Sequence, residues 1–160
     1  ELGSIAERRI DRLLNPATSG LPAFLVKQGG VNSGLMIVQY VAASLAAENK
    51  RLSQPAVADN YVTSAQQEDH ISLGTPGALK ALKVIDNTRR ILAIEYLCAA
   101  QAIEFLPRLR LGRGTQVAYD RLRAEIPSLE QDRFLSPEIV LVERGLLEPA
   151  WLAEIEAAII

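Results

Sequence analysis

Apolar residues recur at helical spacing along most of the chain, and the pattern breaks where proline, glycine and small polar residues cluster. The first block runs from Ser4 to Leu14, with Ser4 and Glu7 in capping-box form at its opening. Residues 15–34, NPATSGLPAFLVKQGGVNSG, hold prolines and repeated glycine and serine, and predict an extended connection. A second helix is predicted over Leu35–Leu52, where Met36, Tyr40 (or Ile37), Ala43 and Ala47 fall near helical spacing. Its small residues Ala42, Ala43, Ser44, Ala46 and Ala47 permit close approach of a neighbouring helix. Pro55 closes the segment.

Ser64-Ala65-Gln66-Gln67 again has capping-box form and predicts a short helix with Glu68 and Asp69 in its first turns. Thr75-Pro76 reads as an N-cap followed by proline at the first helical position, opening a long helix over Gly77–Leu106 that Pro107 ends. Some thirty residues at 1.5 Å each make a rod of roughly 45 Å, which suits a bundle. A basic turn, RLRLGRG, leads to a helix near Thr115–Ile126. Ser136-Pro137-Glu138 and Glu148-Pro149 then start two short helices separated by Gly145. The predicted class is all-α, a long-helix bundle. In the long helix Leu82, Ile85, Leu92, Ile94, Tyr96 and Ile103 spread around more than one face, which predicts self-association or exposed apolar surface.

Composition agrees with one folded unit: 160 residues, 49% apolar and 22% charged. Aromatics are only 5%, so helix is favoured over sheet. A formal net charge of −2 argues against a dedicated nucleic-acid binder, so no nucleic-acid partner is expected. The single cysteine, Cys98, excludes an intrachain disulfide and fits a reducing, cytoplasmic setting. No run approaches the ~20 apolar residues that span a bilayer, so no membrane partner is expected. The opening ELGSIAERRIDRLL is no secretory signal and reads as the interior of something longer.

The densest candidate chemistry is TSAQQEDHISLG, where Gln66 to His70 hold two amides, two acids and the only histidine. Glu68, Asp69 and His70 have metal-binding chemistry, but successive helical residues diverge by about 100°, and chelation uses positions three or four apart. No metal is expected. Cys98 lies in an apolar run and reads as a structural thiol. Arg108, Arg110 and Arg113 have the charge to grip a phosphate, yet Gly112 and Gly114 follow no predicted strand, and a solvated turn fits them better. Gly29–Gly34 precedes a helix, where anions bind, and a tight turn accounts for it equally well. Glu68, beside amides near a predicted helix N-terminus, is either a site or a polar cap.

Several segments together resemble the aromatic amino acid ammonia-lyases, the histidine ammonia-lyases most closely. They are GSIAERR (3–9), LNPATSGLPAFL (14–25), GGVNSGLMIVQYVAASLAAENK (29–50), TSAQQEDHIS (63–72) and NTRRILAIEYLCAAQAIEF (87–105). The resemblance is collinear and covers only the C-terminal third of such an enzyme. It implies that residues 1–160 form a C-terminal helical segment, with the N-terminal prosthetic-group domain absent. It further implies a homotetramer whose active sites are built by several subunits, and L-histidine as substrate, converted to urocanate and ammonia. The family's electrophile, 4-methylidene-imidazol-5-one, is formed autocatalytically from an Ala-Ser-Gly tripeptide that this chain does not contain. Thr18-Ser19-Gly20 lies instead in the stretch that resembles a downstream loop and reads as structural. The chain alone is therefore expected to be inactive and to carry no secure catalytic residue.

Residue by residue, the resemblance assigns Glu68 to the substrate imidazole, where the phenylalanine and tyrosine lyases carry an amide. Gln67 is expected to orient that carboxylate, and His70 and Asp69 to serve as structural hydrogen bonds and caps. No role is carried onto Gln66. Two rival expectations stand beside this one: a tyrosine or phenylalanine ammonia-lyase or aminomutase fragment, and a non-catalytic helical oligomerisation domain.

Overall fold

The structure, a computed structural model, describes residues 1–107 and 109–159. Its described residues form seven α-helices: α1 (Leu2–Leu14), α2 (Pro16–Ser19), α3 (Met36–Leu52), α4 (Gly74–Ile103), α5 (Arg113–Glu125), α6 (Ser136–Gly145) and α7 (Pro149–Ile159). Two short 3-10 turns, Ala23–Leu25 and Ser64–Gln66, and isolated β-bridges at Gly29/Asn32 and Thr63/Glu68 complete the regular structure of the described residues. The all-α prediction holds.

Helix α4 is the spine. Helices α1, α3 and α6 pack against it, while α5 and α7 pair with each other. In α1 the positions four apart, Ala6, Ile10 and Leu14, are sealed from solvent and meet Ile91, Ile94 and Cys98 of α4 in one core. Ala42 gives α3 its close approach, as its small side chain predicts. Leu122, Ile126, Leu129, Ile139 and Val142 close the core from the far side.

Burial along α4 is uneven. Its second half carries Ile91, Ile94, Leu97, Cys98 and Gln101 into the core. In its first half Leu79, Leu82 and Ile85 remain more than half exposed. These positions repeat every three residues and form an apolar stripe on the helix surface.

Three local expectations are corrected. Ser4 and Glu7 form no capping box: α1 begins at Leu2, and the Ser4 and Ile5 N–H groups bond to the Glu1 carbonyl at 3.0 Å. Glu7 is instead buried, and its two oxygens each take a 2.6 Å bond from Arg8. Thr75 caps nothing, because α4 starts a turn's edge earlier, behind Leu73 in the left-handed region at φ 47°. The connection 15–34 is not simply extended. Asn15 Oδ1 accepts the Ala17 N–H at 3.0 Å and opens α2, which Gly20 ends at φ 70°.

Gln101, buried inside α4, ties together the loops on either side of the core. Its Nε2 donates to the carbonyls of Leu25 and Leu129, both at 3.1 Å, and its Oε1 accepts the Leu129 N–H at 2.9 Å. Loop backbone that would otherwise be buried unpaired is satisfied by one side chain.

Candidate functional site

Between α3 and α4 the chain runs through residues 53–73, a long connection whose residues 61–70 are all exposed. With no apolar core of its own, it is shaped by polar bonds. The Thr63 N–H donates to the Glu68 carbonyl at 2.9 Å, and the Glu68 N–H donates back to Thr63 at 3.2 Å. This is an antiparallel pair closing a tight tip. At that tip Ser64, Ala65 and Gln66 stand at φ 54°, 52° and 72°, three left-handed residues in a row. A short right-handed helix with Glu68 at its start, the expectation from the capping-box pattern, is thus corrected. The turn winds the other way, and Glu68 follows it on an extended arm. Left-handed conformations cost L-residues about 1–2 kcal/mol each, and such strain concentrates at functional sites.

Further from the tip, Asn60 bonds to both backbone groups of Ile71, each at 2.8 Å. Asn60 Nδ2 also lies 3.3 Å from His70 Nδ1. The segment therefore fixes the backbone of Glu68 while leaving its carboxylate exposed. Gln67 is held through its own N–H, which bonds to Ser64 at 3.2 Å. Among the described residues, the hydrogen bonds of Gln67 and Glu68 run through backbone rather than between their side chains.

The other sequence candidates settle into structural places. Among the described residues, no group of three or more histidine, cysteine or acidic side chains gathers as metal ligands would. Cys98 is fully buried, and burial, followed by the nearby Glu95 charge, pushes its thiol up to about 12. A thiol so held is no nucleophile. Ser19 Oγ donates to the Asn15 carbonyl and accepts the Leu21 N–H at 3.1 Å, so Thr18-Ser19-Gly20 is a helix end and turn. The Ser33 and Gly34 N–H groups before α3 do bind an anion, but it is the chain's own Asp132 carboxylate. Arg113 turns back toward the Ile159 carbonyl, while Arg108 of the basic turn lies outside the described residues.

Sequence reasoning missed two features. Phe24 and Leu25 are a further left-handed stretch, at φ 55° and 53°, and nothing in the bulky dipeptide signals it. Asn60 is the other. Its only sign was the polar Asp59-Asn60 step within an otherwise featureless loop. A cavity of about 550 Å³ opens between α3 and α6, lined by Ile37, Val41, Phe134 and Ile139 with Arg90 at its edge. Residues 53–73 take no part in it.

A long helical spine with shorter helices packed against it is the fold of a known class. Residues 1–124 match the aromatic amino acid lyase family, and the chain belongs to it. The histidine ammonia-lyase of Natranaerobius thermophilus is 50% identical over 160 residues, which are 99% of this chain and 32% of that protein. The solved histidine ammonia-lyase of Trypanosoma cruzi superposes with a TM-score of 0.92 at 45% identity, covering 99% of this chain and 31% of that one. The tyrosine aminomutase of Streptomyces globisporus has the same fold, with a TM-score of 0.90 at 36% identity over 98% of this chain and 30% of its own. The chain thus spans about a third of the length of the relatives it matches.

Proposed function

We propose that this chain is the C-terminal, substrate-side helical part of a histidine ammonia-lyase, acting in the conversion of L-histidine to urocanate and ammonia. One observation carries the reading: Glu68 follows a strained left-handed tip that fixes its backbone and leaves its carboxylate free. A carboxylate accepts a hydrogen bond from an imidazole N–H and stabilises an imidazolium, a service no phenyl ring can use. In a water-poor site one such charge-assisted bond contributes about 1.5–3 kcal/mol. Gln67, next in the chain, is the residue we assign to orient that carboxylate once substrate and the rest of the site enclose it.

The family's 4-methylidene-imidazol-5-one supplies the electrophile that activates the amino acid for loss of ammonia. The residues present here do not furnish it, because Ser19 is committed to the α2 turn. This chain's share of the work is to bind and orient the imidazole. The exposed stripe of Leu79, Leu82 and Ile85 suits a homo-oligomer, a tetramer in our reading, whose subunits cover one another's helices. The single free thiol suits a cytoplasmic protein.

The test is Glu68→Gln in the full-length protein that carries this chain, read by urocanate absorbance and by the melting temperature. Histidine turnover should fall steeply while melting stays unchanged; unaltered turnover rejects the role. The likeness to tyrosine aminomutase supports a second reading, in which the substrate is tyrosine or phenylalanine. Formation of coumarate or cinnamate in preference to urocanate would establish it.

A further inference from the structure

Asn60 and Ile71 stand three residues outside Thr63 and Glu68 on either arm, so both pairs share one antiparallel register. The inner pair is joined backbone to backbone. In the outer pair a side chain replaces one strand: the Ile71 N–H donates to Asn60 Oδ1 and Asn60 Nδ2 donates to the Ile71 carbonyl, each at 2.8 Å. One amide, with its donor and acceptor side by side, thereby reproduces the two bonds that paired strands exchange. Asn60 Oδ1 also takes the Tyr61 N–H at 2.8 Å, which locks the amide's orientation. With the oxygen toward the Ile71 N–H, Nδ2 must face His70 Nδ1 at 3.3 Å.

We propose that Asn60 is the positioning residue of Glu68. It does not touch substrate. It clamps the root of the arm on which Glu68 rides and so holds the left-handed tip in place. Tip residues in that conformation persist only where their surroundings over-determine them. Here those surroundings are the Thr63–Glu68 pair and the Asn60 clip, since the tip is solvent-exposed. The inference rests on the reading of Glu68 as the imidazole acceptor.

Three variants of the full-length protein test it: Asn60→Ala, Glu68→Ala and the two combined. Asn60→Ala should lower kcat on L-histidine on the order of 10- to 100-fold, the scale of a misplaced contact. Deuterium uptake should rise across residues 58–72 while the melting temperature holds. In the Glu68→Ala background the same change should add no further loss, because the two residues act as a unit. Asn60→Asp keeps the acceptor but cannot donate to the Ile71 carbonyl, and should lose turnover with the fold intact. Full turnover in Asn60→Ala, or an equal loss in both backgrounds, overturns the proposal. Retained turnover in Glu68→Ala defeats the substrate reading instead. Deuterium uptake then still decides Asn60, and unchanged uptake in Asn60→Ala overturns its role.

Discussion

The carboxylate of Asp132 accepts the backbone N–H of Gly34 at 2.8 Å, a contact across 98 positions of sequence. Its other oxygen takes the Ser33 N–H at 2.7 Å, and the Asp132 N–H returns a bond to Asn32 Oδ1 at 3.3 Å. The turn entering α3 is thus pinned to the loop leading to α6. Gly34 sits at φ 58°, and a Cβ there would lie 2.6 Å from the Phe24 carbonyl oxygen and 2.7 Å from Val26 Cβ. Gly34→Ala therefore meets both a left-handed backbone and a backbone wall. It is expected to cost about 2–5 kcal/mol, the sum of a conformational and an overpacking penalty. A urea midpoint within experimental error of the parent would contradict this. Asp132→Ala, whose freed N–H groups can reach water, should cost only about 1 kcal/mol.

Gln101 is nearly sealed from solvent at 4% exposure, yet it is the hub for the Leu25 and Leu129 backbone. Gln101→Leu matches the apolar surroundings and strands those groups without partners. Each stranded group costs about 1–3 kcal/mol, so the variant should be destabilised by at least 2 kcal/mol despite its greater hydrophobicity. Gln101→Glu should fail for a different reason: an oxygen replaces Nε2 against two carbonyl oxygens. Denaturation of both variants at neutral pH checks the pair, and a Leu variant as stable as the parent would rule the argument out.

The helices were legible because their signals are local and periodic. Ile10 and Leu14, or Ile91 and Ile94, announce a buried face by spacing alone. Helix starts were less legible. Ser4/Glu7 and Ser64/Gln67 both have capping-box form, yet one lies inside α1 and the other in a left-handed turn. The motif states what a helix start tolerates; tertiary bonds decide whether one occurs. For the Glu68 loop those bonds come from Asn60 and Thr63, and for Gly34 from Asp132, 98 residues away. Glu68 itself stood out by composition, but its assignment to an imidazole came from family resemblance, since an isolated carboxylate names no ligand.

Gly145 of α6 lies directly under the ring of Trp151 in α7. A Cβ at that position would fall 1.8 Å from Trp151 Cζ3 and 2.1 Å from Cε3. The indole cannot easily yield, being stacked edge-on to Tyr96 at 6.4 Å and lying under the Arg121 guanidinium at 5.3 Å. Two effects of Gly145→Ala compete. Alanine favours the helix by about 1 kcal/mol, and the overlap costs about 1–3 kcal/mol or more with a rigid aromatic. The overlap should win. Trp151 is the single tryptophan, so its fluorescence reports the outcome. A red shift with a lower melting temperature is expected, and unchanged emission with higher stability would show that the helix term dominates.

Cys98 couples stability to alkaline pH. In the folded chain burial holds its thiol near 12, against an ordinary value of 9.0. Above 9 the unfolded chain sheds this proton first and so binds fewer protons than the folded one. The slope of unfolding free energy with pH is then negative. The contribution is fully present below the unfolded value and is lost as pH rises from there through about 12. Lysines and tyrosines also titrate in this window, Tyr96 among them with its hydroxyl raised by burial. The useful quantity is therefore the difference between parent and Cys98→Ala, in which those shared groups cancel. Alanine leaves a small cavity, a constant offset of about 1 kcal/mol or more. The difference in urea stability should be flat from pH 7 to 8.5 and should shrink as pH climbs toward 11. The same burial should keep Cys98 unreactive toward a thiol reagent in the native state until urea unfolds the chain. A difference that stays level through pH 11, or rapid native labelling at pH 8, would show that the thiol reaches solvent on its own.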